Sequence, residues 1–256
     1  MVDAPGGRAV DAGGRRRRDE RGAFWIAITR PIEAFMRSVG RYEWRHEERV
    51  PATGAFILAP NHLSELDPVL LGFLVYRARR IPRFLAKASL FRVPVLGRFL
   101  RFTGQIPVER AGSGREPLTA ASQLIADGAG VVVYPEGTLT RDPDLWPMRG
   151  KPGAVRLALA TGAPLIPVAH WGIQAVLPRW SKRLRVLPPR KRVVVSVGEP
   201  FDLGPWEGRT DAASVTAATD ALMAEIARLL GELRGETPPP GRWDPSQHGQ
   251  SEFGRP

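Results

Sequence analysis

Chemistry in this chain concentrates in three short segments, each at the end of an expected strand. The first is Pro60-Asn61-His62-Leu63-Ser64-Glu65-Leu66-Asp67-Pro68, directly after the apolar stretch 55–59. A carboxylate bonded to one imidazole nitrogen fixes the tautomer and leaves the other nitrogen as a base. With an ordinary pKa of ~6.5, a histidine held in this way can take a proton from a hydroxyl near neutral pH. His62 and Asp67 are the pair with that potential. Ser64 and Asp67 also form an S-x-x-D helix start, which predicts Ser64 as a cap and a helix over 64–77. The spacing alone leaves open a plainer reading, with Asp67 a helix-terminal acid and His62 a loop residue.

The second segment, Gly104-Gln105-Ile106-Pro107-Val108-Glu109-Arg110, reads as a strand ending in an arginine. A guanidinium there can hold a phosphate with its planar fork. A surface ion pair with Glu109 is the alternative. The third, Val131-Val132-Val133-Tyr134-Pro135-Glu136-Gly137-Thr138, is a β-branched run that stops at Pro-Glu-Gly. Gly137 permits a close backbone approach, Thr138 offers a hydroxyl, and a buried Glu136 would need hydrogen bonds. A tight turn after a core strand is the bland reading of this segment. Lys87, at the end of a strand between the first two segments, is a further cation, either phosphate-binding or merely solvated.

Such residues need a scaffold, and the periodicity supplies one. Strands are expected at 55–59, 83–88, 105–108, 131–134, 165–169 and 192–197, and helices at 64–77, 94–102, 117–127, 153–161 and 211–234. Alternation of this kind predicts a single-domain α/β fold, a mixed and mostly parallel sheet flanked by helices. In such sheets ligands bind beyond the strand ends, where the three segments lie. Upstream, Phe24, Ile28, Ile32, Phe35 and Val39 recur at helical spacing, so 23–40 is expected to be an amphipathic helix, or a helix pair broken at Pro31. Trp25 and the neighbouring Arg30, Arg37 and Arg41 suit a membrane interface, although the same stripe could pack on the core.

The chain has 256 residues, 43% hydrophobic and 25% charged, which excludes collagen-like, coiled-coil and wholly disordered classes. It contains no cysteine, which rules out disulfides, zinc-thiolate sites and a cysteine nucleophile. The net charge of +11 suits anionic membrane, nucleic acid or phosphorylated small molecules. With three tyrosines and no RNA-recognition signature, no specific nucleic acid partner is expected. Neither a signal peptide nor a membrane span is expected: the stretch 157–178 lacks Asp, Glu, Lys and Arg but is broken by glycines and prolines, whereas a spanning helix needs about 20 mostly apolar residues. Residues 1–22 read as a disordered basic tail, and 236–256, rich in proline and glycine, as a second disordered tail. No G-x-S-x-G elbow supports a serine hydrolase.

Taken together, these segments resemble the glycerolipid acyltransferase family. His62 and Asp67, with Asn61 before and Pro68 after, match its His-x-x-x-x-Asp box. Residues 104–110 look like its second box, Pro135-Glu136-Gly137-Thr138 matches its third, and Ala163-Pro164-Leu165-Ile166-Pro167-Val168 resembles its fourth. Two positions depart: Pro107 stands where an aromatic is usual, and Leu139 where the third box usually has an arginine, a charge that Arg141 could replace. The resemblance implies an acyltransferase domain over 23–235, with 23–40 as its membrane-interface helix. It implies His62 as general base and Asp67 as its orienting acid. Asn61, Lys87, Arg110, Glu136, Gly137, Thr138 and Arg141 would bind substrate. The expected reaction moves a fatty acyl group from acyl-coenzyme A or acyl carrier protein, co-substrates and not bound cofactors, to a lysophospholipid. The acceptor would be 1-acyl-glycerol-3-phosphate and the product phosphatidic acid, or else the acceptor is another lysolipid or glycolipid. The expected location is the cytoplasmic face of an anionic membrane, held peripherally. A non-enzymatic basic binder of membrane or nucleic acid is the reading outside enzymology.

Overall fold

The computed structural model describes residues 23–109 and 115–251. Arg110 and the tail 1–22 lie outside the described residues. Among the described residues seven strands form one sheet in the order β1-β7-β6-β2-β5-β3-β4. These are β1 (Gly40–Arg45), β2 (Phe56–Pro60), β3 (Arg83–Lys87), β4 (Ile106–Val108), β5 (Gly130–Val132), β6 (Leu165–Trp171) and β7 (Lys191–Val197). Every neighbouring pair is parallel except β6 and β7. The helices are α1 (Ala23–Val39), α2 (Asp67–Arg77), α3 (Pro94–Phe102), α4 (Arg115–Ala126), α5 (Gly153–Thr161) and α6 (Ala212–Arg234).

Strand β2 is buried along its whole length, as a strand covered on both faces must be. Its side chains alternate between two cores. Ile57 and Ala59 join Ala121, Val155, Leu157, Leu222 and Ile226 of α4, α5 and α6. Phe56 and Leu58 face Met36 and Val39 of α1 and Leu70, Leu71 and Leu74 of α2. The period-two alternation of the sheet thus meets helical stripes on either side. Helix α6 is capped at both ends: the Asp211 side chain accepts the Ser214 N–H, and Gly235 closes the helix at φ 69°.

Four expectations are corrected. Helix α1 runs unbroken through Pro31, so there is no helix pair. The donor that Pro31 lacks falls on an exposed stretch, where water can serve the carbonyl left over. Helix α2 begins at Asp67, not Ser64, because the Ser64 hydroxyl donates to Leu177 O (2.7 Å) and accepts from Leu66 N instead of capping. Strand β1 carries no apolar run, being a sheet edge of sequence GRYEWR, and it was not anticipated. It is held by parallel pairing to β7 and by stacking of Tyr42 on Trp44, with Phe73 edge-on to both.

Finally, the segment expected to be a disordered tail from 236 packs on the domain as far as Ser251. Arg149 N–H donates to Trp243 O (2.9 Å), Asp244 caps a short 3-10 turn over Pro245–His248, and the Trp243 and His248 rings stack at 3.5 Å. One tryptophan and a buried proline anchor a segment whose composition otherwise reads as solvated. No described helix is long and apolar enough to cross a membrane.

Candidate active site

The site is assembled where β2 ends. Asn61 prolongs the strand: its backbone N–H reaches Val168 O (3.3 Å). Its side-chain amide then pairs with the main chain of His170 on β6, accepting from His170 N (2.9 Å) and donating to His170 O (3.1 Å). Both polar atoms of Asn61 are consumed in this lock and the residue is buried. Asn61 therefore holds two strands together and is absent from the cavity wall, a correction to its expected place in the site.

The chain turns at His62, and two bonds fix its backbone. Its N–H donates to Glu136 Oε1 (2.9 Å) and its carbonyl accepts Thr140 N–H (2.8 Å). Glu136 also accepts Met148 N–H on Oε2 (3.1 Å). Burial pushes the Glu136 carboxyl up to about 8, against the pull of those amides. Glu136 is fully buried and is absent from the cavity wall. It organises the turn from behind and stands off the cavity wall, a second correction to its place among the residues expected to line the site.

Asp67 stands at the first residue of α2, entirely buried. Its Oδ2 accepts Leu63 N–H (2.6 Å), Ser64 N–H (2.9 Å) and the His62 Nδ1 edge (2.8 Å). An ionised carboxylate can only accept, so this network assigns the proton to Nδ1 and leaves Nε2 bare. Tyr134 stacks beneath the His62 ring at 4.0 Å between centroids. Burial and the Asp67 charge push the Tyr134 hydroxyl well above its ordinary pKa, so it stays neutral. The His62 side chain is 16% exposed, and it borders a cavity of about 970 Å³.

That cavity is lined mainly by apolar residues of α1, α2, β3 and α3, among them Ile28, Ile32, Phe73, Phe84 and Phe99. Gly137, Thr138 and Lys87 border it, as do two cations the sequence reading passed over, Lys151 and Arg156. Gly137 occupies φ 70°, where a side chain would be strained, and a Cβ there would approach Lys151 Cδ at 3.1 Å. Arg141 is placed elsewhere. It is buried, with its guanidinium 5.8 Å from the Trp180 ring, and it borders a separate cavity of about 300 Å³ with Arg179 and Trp243. It does not restore to the His62 cavity the charge that Leu139 lacks, a third correction.

The residue that sequence reasoning missed is His170. Its Nε2 donates to Asn61 O (2.9 Å) and lies 3.5 Å from Asp67 Oδ2. Burial lowers its pKa, so it is a neutral ring behind the acid. The only signal was one polar residue interrupting a buried apolar strand. Among the described residues no three His, Asp or Glu side chains gather as a metal site would need.

The chain is 29% identical over 190 residues to the 1-acyl-sn-glycerol-3-phosphate acyltransferase of Bacillus subtilis (strain 168), covering 73% of this chain and 87% of that one. It is 32% identical over 128 residues to a chloroplastic 1-acyl-sn-glycerol-3-phosphate acyltransferase of Brassica napus, covering 49% of this chain and 36% of the relative. The crystal structure of the 1-acyl-sn-glycerophosphate (LPA) acyltransferase PlsC from Thermotoga maritima shares the fold, with a TM-score of 0.60 at 22% identity over 80% of this chain and 74% of that one. The Acyltransferase family model matches residues 41–171, and the chain belongs to that family.

Proposed function

We propose that the protein transfers a fatty acyl group from an acyl thioester to the free sn-2 hydroxyl of 1-acyl-glycerol-3-phosphate, giving phosphatidic acid. The observation that carries this reading is the bond of 2.8 Å between His62 Nδ1 and the buried Asp67 carboxylate, with the ring at the wall of a large apolar cavity. In the proposed step His62 Nε2 takes the acceptor's hydroxyl proton as the oxygen attacks the thioester carbonyl. The tetrahedral oxyanion collapses, the C–S bond breaks, and the leaving thiolate recovers the proton from His62. Asp67 keeps the tautomer correct and stabilises the imidazolium.

Oxyanion donors must be amides not already committed. Leu63 and Ser64 serve Asp67, and Gly137 N–H serves Tyr134 O. Thr138, beside them on the cavity wall, is the proposed donor. Lys87 and Arg110 are proposed for the acceptor's phosphate. The donor is acyl-coenzyme A or acyl carrier protein. The protein works as a peripheral protein at the cytoplasmic face of an anionic membrane, with α1 at the bilayer surface.

A second acceptor class, another lysolipid or a glycolipid, is favoured by one observation: Leu139 is buried where an arginine is usual, and Arg141 lies outside the cavity. Product analysis with labelled acyl-coenzyme A and a panel of lysolipids decides between them. Preference for lysophosphatidate supports the first reading, and acylation of phosphate-free acceptors at equal efficiency supports the second.

A further inference from the structure

Helix α3 does not behave as a core helix. Of its nine residues only Gly97 is buried. Gly97 sits so close to the preceding turn that a Cβ there would stand 2.0 Å from Phe91 O. The helix thus approaches the domain closely by its backbone at Gly97, and some of its apolar side chains are left over: Val95 is 84% exposed, Phe102 67% and Val93, just before it, 47%. Neither core cluster includes a residue of α3. A surface helix ordinarily turns its apolar stripe inward, and a contiguous outward patch marks an interaction site.

Position makes the patch specific. Val95, Phe99 and Phe102 fall on one stripe by their spacing of four and three. Leu96, Phe99 and Leu100 of the same helix line the cavity that His62 borders, and Trp25, Ile28 and Ile32 of α1 line it too. Helix α1 likewise exposes Ile26, Ile32 and Phe35. The mouth is therefore rimmed by two helices with outward apolar residues. Exposed arginines are interleaved with them: Arg92, Arg98 and Arg101 beside α3, and Arg30 and Arg37 on α1.

We propose that α3 is the second half of a bilayer-docking face. In this arrangement Val95 and Phe102 enter the acyl region of an anionic leaflet and Arg98 engages lipid phosphates, while Arg92 is paired with Glu109 and Arg101 donates to Phe91 O. With α1 on the other side, the acceptor passes from leaflet to cavity without crossing water. The inference rests on the acceptor being a membrane lipid. A leaflet fits better than a second copy of this chain, because a twofold pairing of the face would set like-charged arginines against one another. Amphipathic helices with arginines flanking aromatic and aliphatic residues dock in this way.

The test is co-sedimentation of the full chain with phosphatidylcholine vesicles, with and without phosphatidylglycerol. A Val95→Glu/Phe102→Glu double variant should bind mixed vesicles at least tenfold more weakly. Its transfer to vesicle-embedded lysophosphatidate should fall in parallel, while transfer to a short-chain, water-soluble lysophosphatidate stays within twofold of the parent. Arg98→Glu should weaken binding only where phosphatidylglycerol is present, and it decides the matter if the double variant does not fold. Unchanged vesicle binding by the variants overturns the proposal. So does a parent dimer that the double variant splits, which would make the face a self-interface. Failure of the parent to acylate even the soluble acceptor would overturn the reading of the reaction instead, and the vesicle arm would still decide the docking.

Discussion

The carboxyl Oε1 of Glu136 and the backbone amide of His62 stand 2.9 Å apart, although 74 residues separate them in sequence. The third box thus reaches the first through the main chain and not through a shared ligand. The turn that presents the imidazole is fixed from both sides, since the His62 carbonyl also accepts Thr140 N–H at 2.8 Å. A buried acid can thus fix the backbone that carries the imidazole without bordering the cavity.

Glu136→Gln keeps one acceptor but presents an amide N–H to the other backbone donor. Losing a buried partner costs about 1–3 kcal/mol. We expect a lower urea midpoint and a kcat reduced about tenfold or more, with both Michaelis constants little changed. A large rise in either constant would return Glu136 to the substrate.

The same residue sets a pH dependence. Its folded-state pKa is raised from 4.5 to about 8 by burial. Between those values the folded protein holds a proton that the unfolded chain has released. Its contribution is therefore fully present below the unfolded value and lost as pH rises through the folded one. Urea midpoints measured across that interval should fall with pH in the parent and lose that component of the slope in Glu136→Gln.

His170 is a positioning residue, so its effect should appear in the pH profile. Its Nε2–H lies 3.5 Å from Asp67 Oδ2, and removing it concentrates charge on a carboxylate that also faces His62, Tyr134 and Glu136. The His62 imidazolium is then better stabilised. The acid limb of kcat should move to higher pH in His170→Phe and return toward the parent in His170→Gln, which keeps a donor. A profile identical in all three proteins would leave His170 a packing residue only.

The two cations differ in position. Lys87 borders the cavity and Arg141 does not. Lys87→Ala should raise the acceptor's Michaelis constant about tenfold, the loss of one charged hydrogen bond, and leave the thioester's unchanged. Arg141→Ala should leave both within twofold while lowering the melting temperature. The reverse pattern would place the acceptor phosphate in the smaller cavity.

The scaffold was legible because long periodic segments report their own burial. The helices 94–102 and 153–161 coincide with α3 and α5, and the buried run of β2 is unmistakable. What escaped was whatever depends on a partner far away in sequence. Strand β1 has no apolar run because an edge strand draws its hydrogen bonds from β7. His170 gains a role only once Asn61 is folded against it, 109 residues away in sequence. Arg141 seemed a substitute for a missing charge because sequence distance says nothing about which side of a loop a side chain takes. The pair His62 and Asp67 was readable for the opposite reason: the turn that joins them is local, five residues from ring to carboxylate.

The most direct test is kcat for acyl transfer by His62→Ala, assayed with labelled acyl-coenzyme A and lysophosphatidate beside a melting curve of the same protein. Loss of a general base removes about 10²–10⁴-fold in rate. We predict a fall of that size or greater with the melting temperature preserved, and a variant that retains parental turnover while folded would contradict the account.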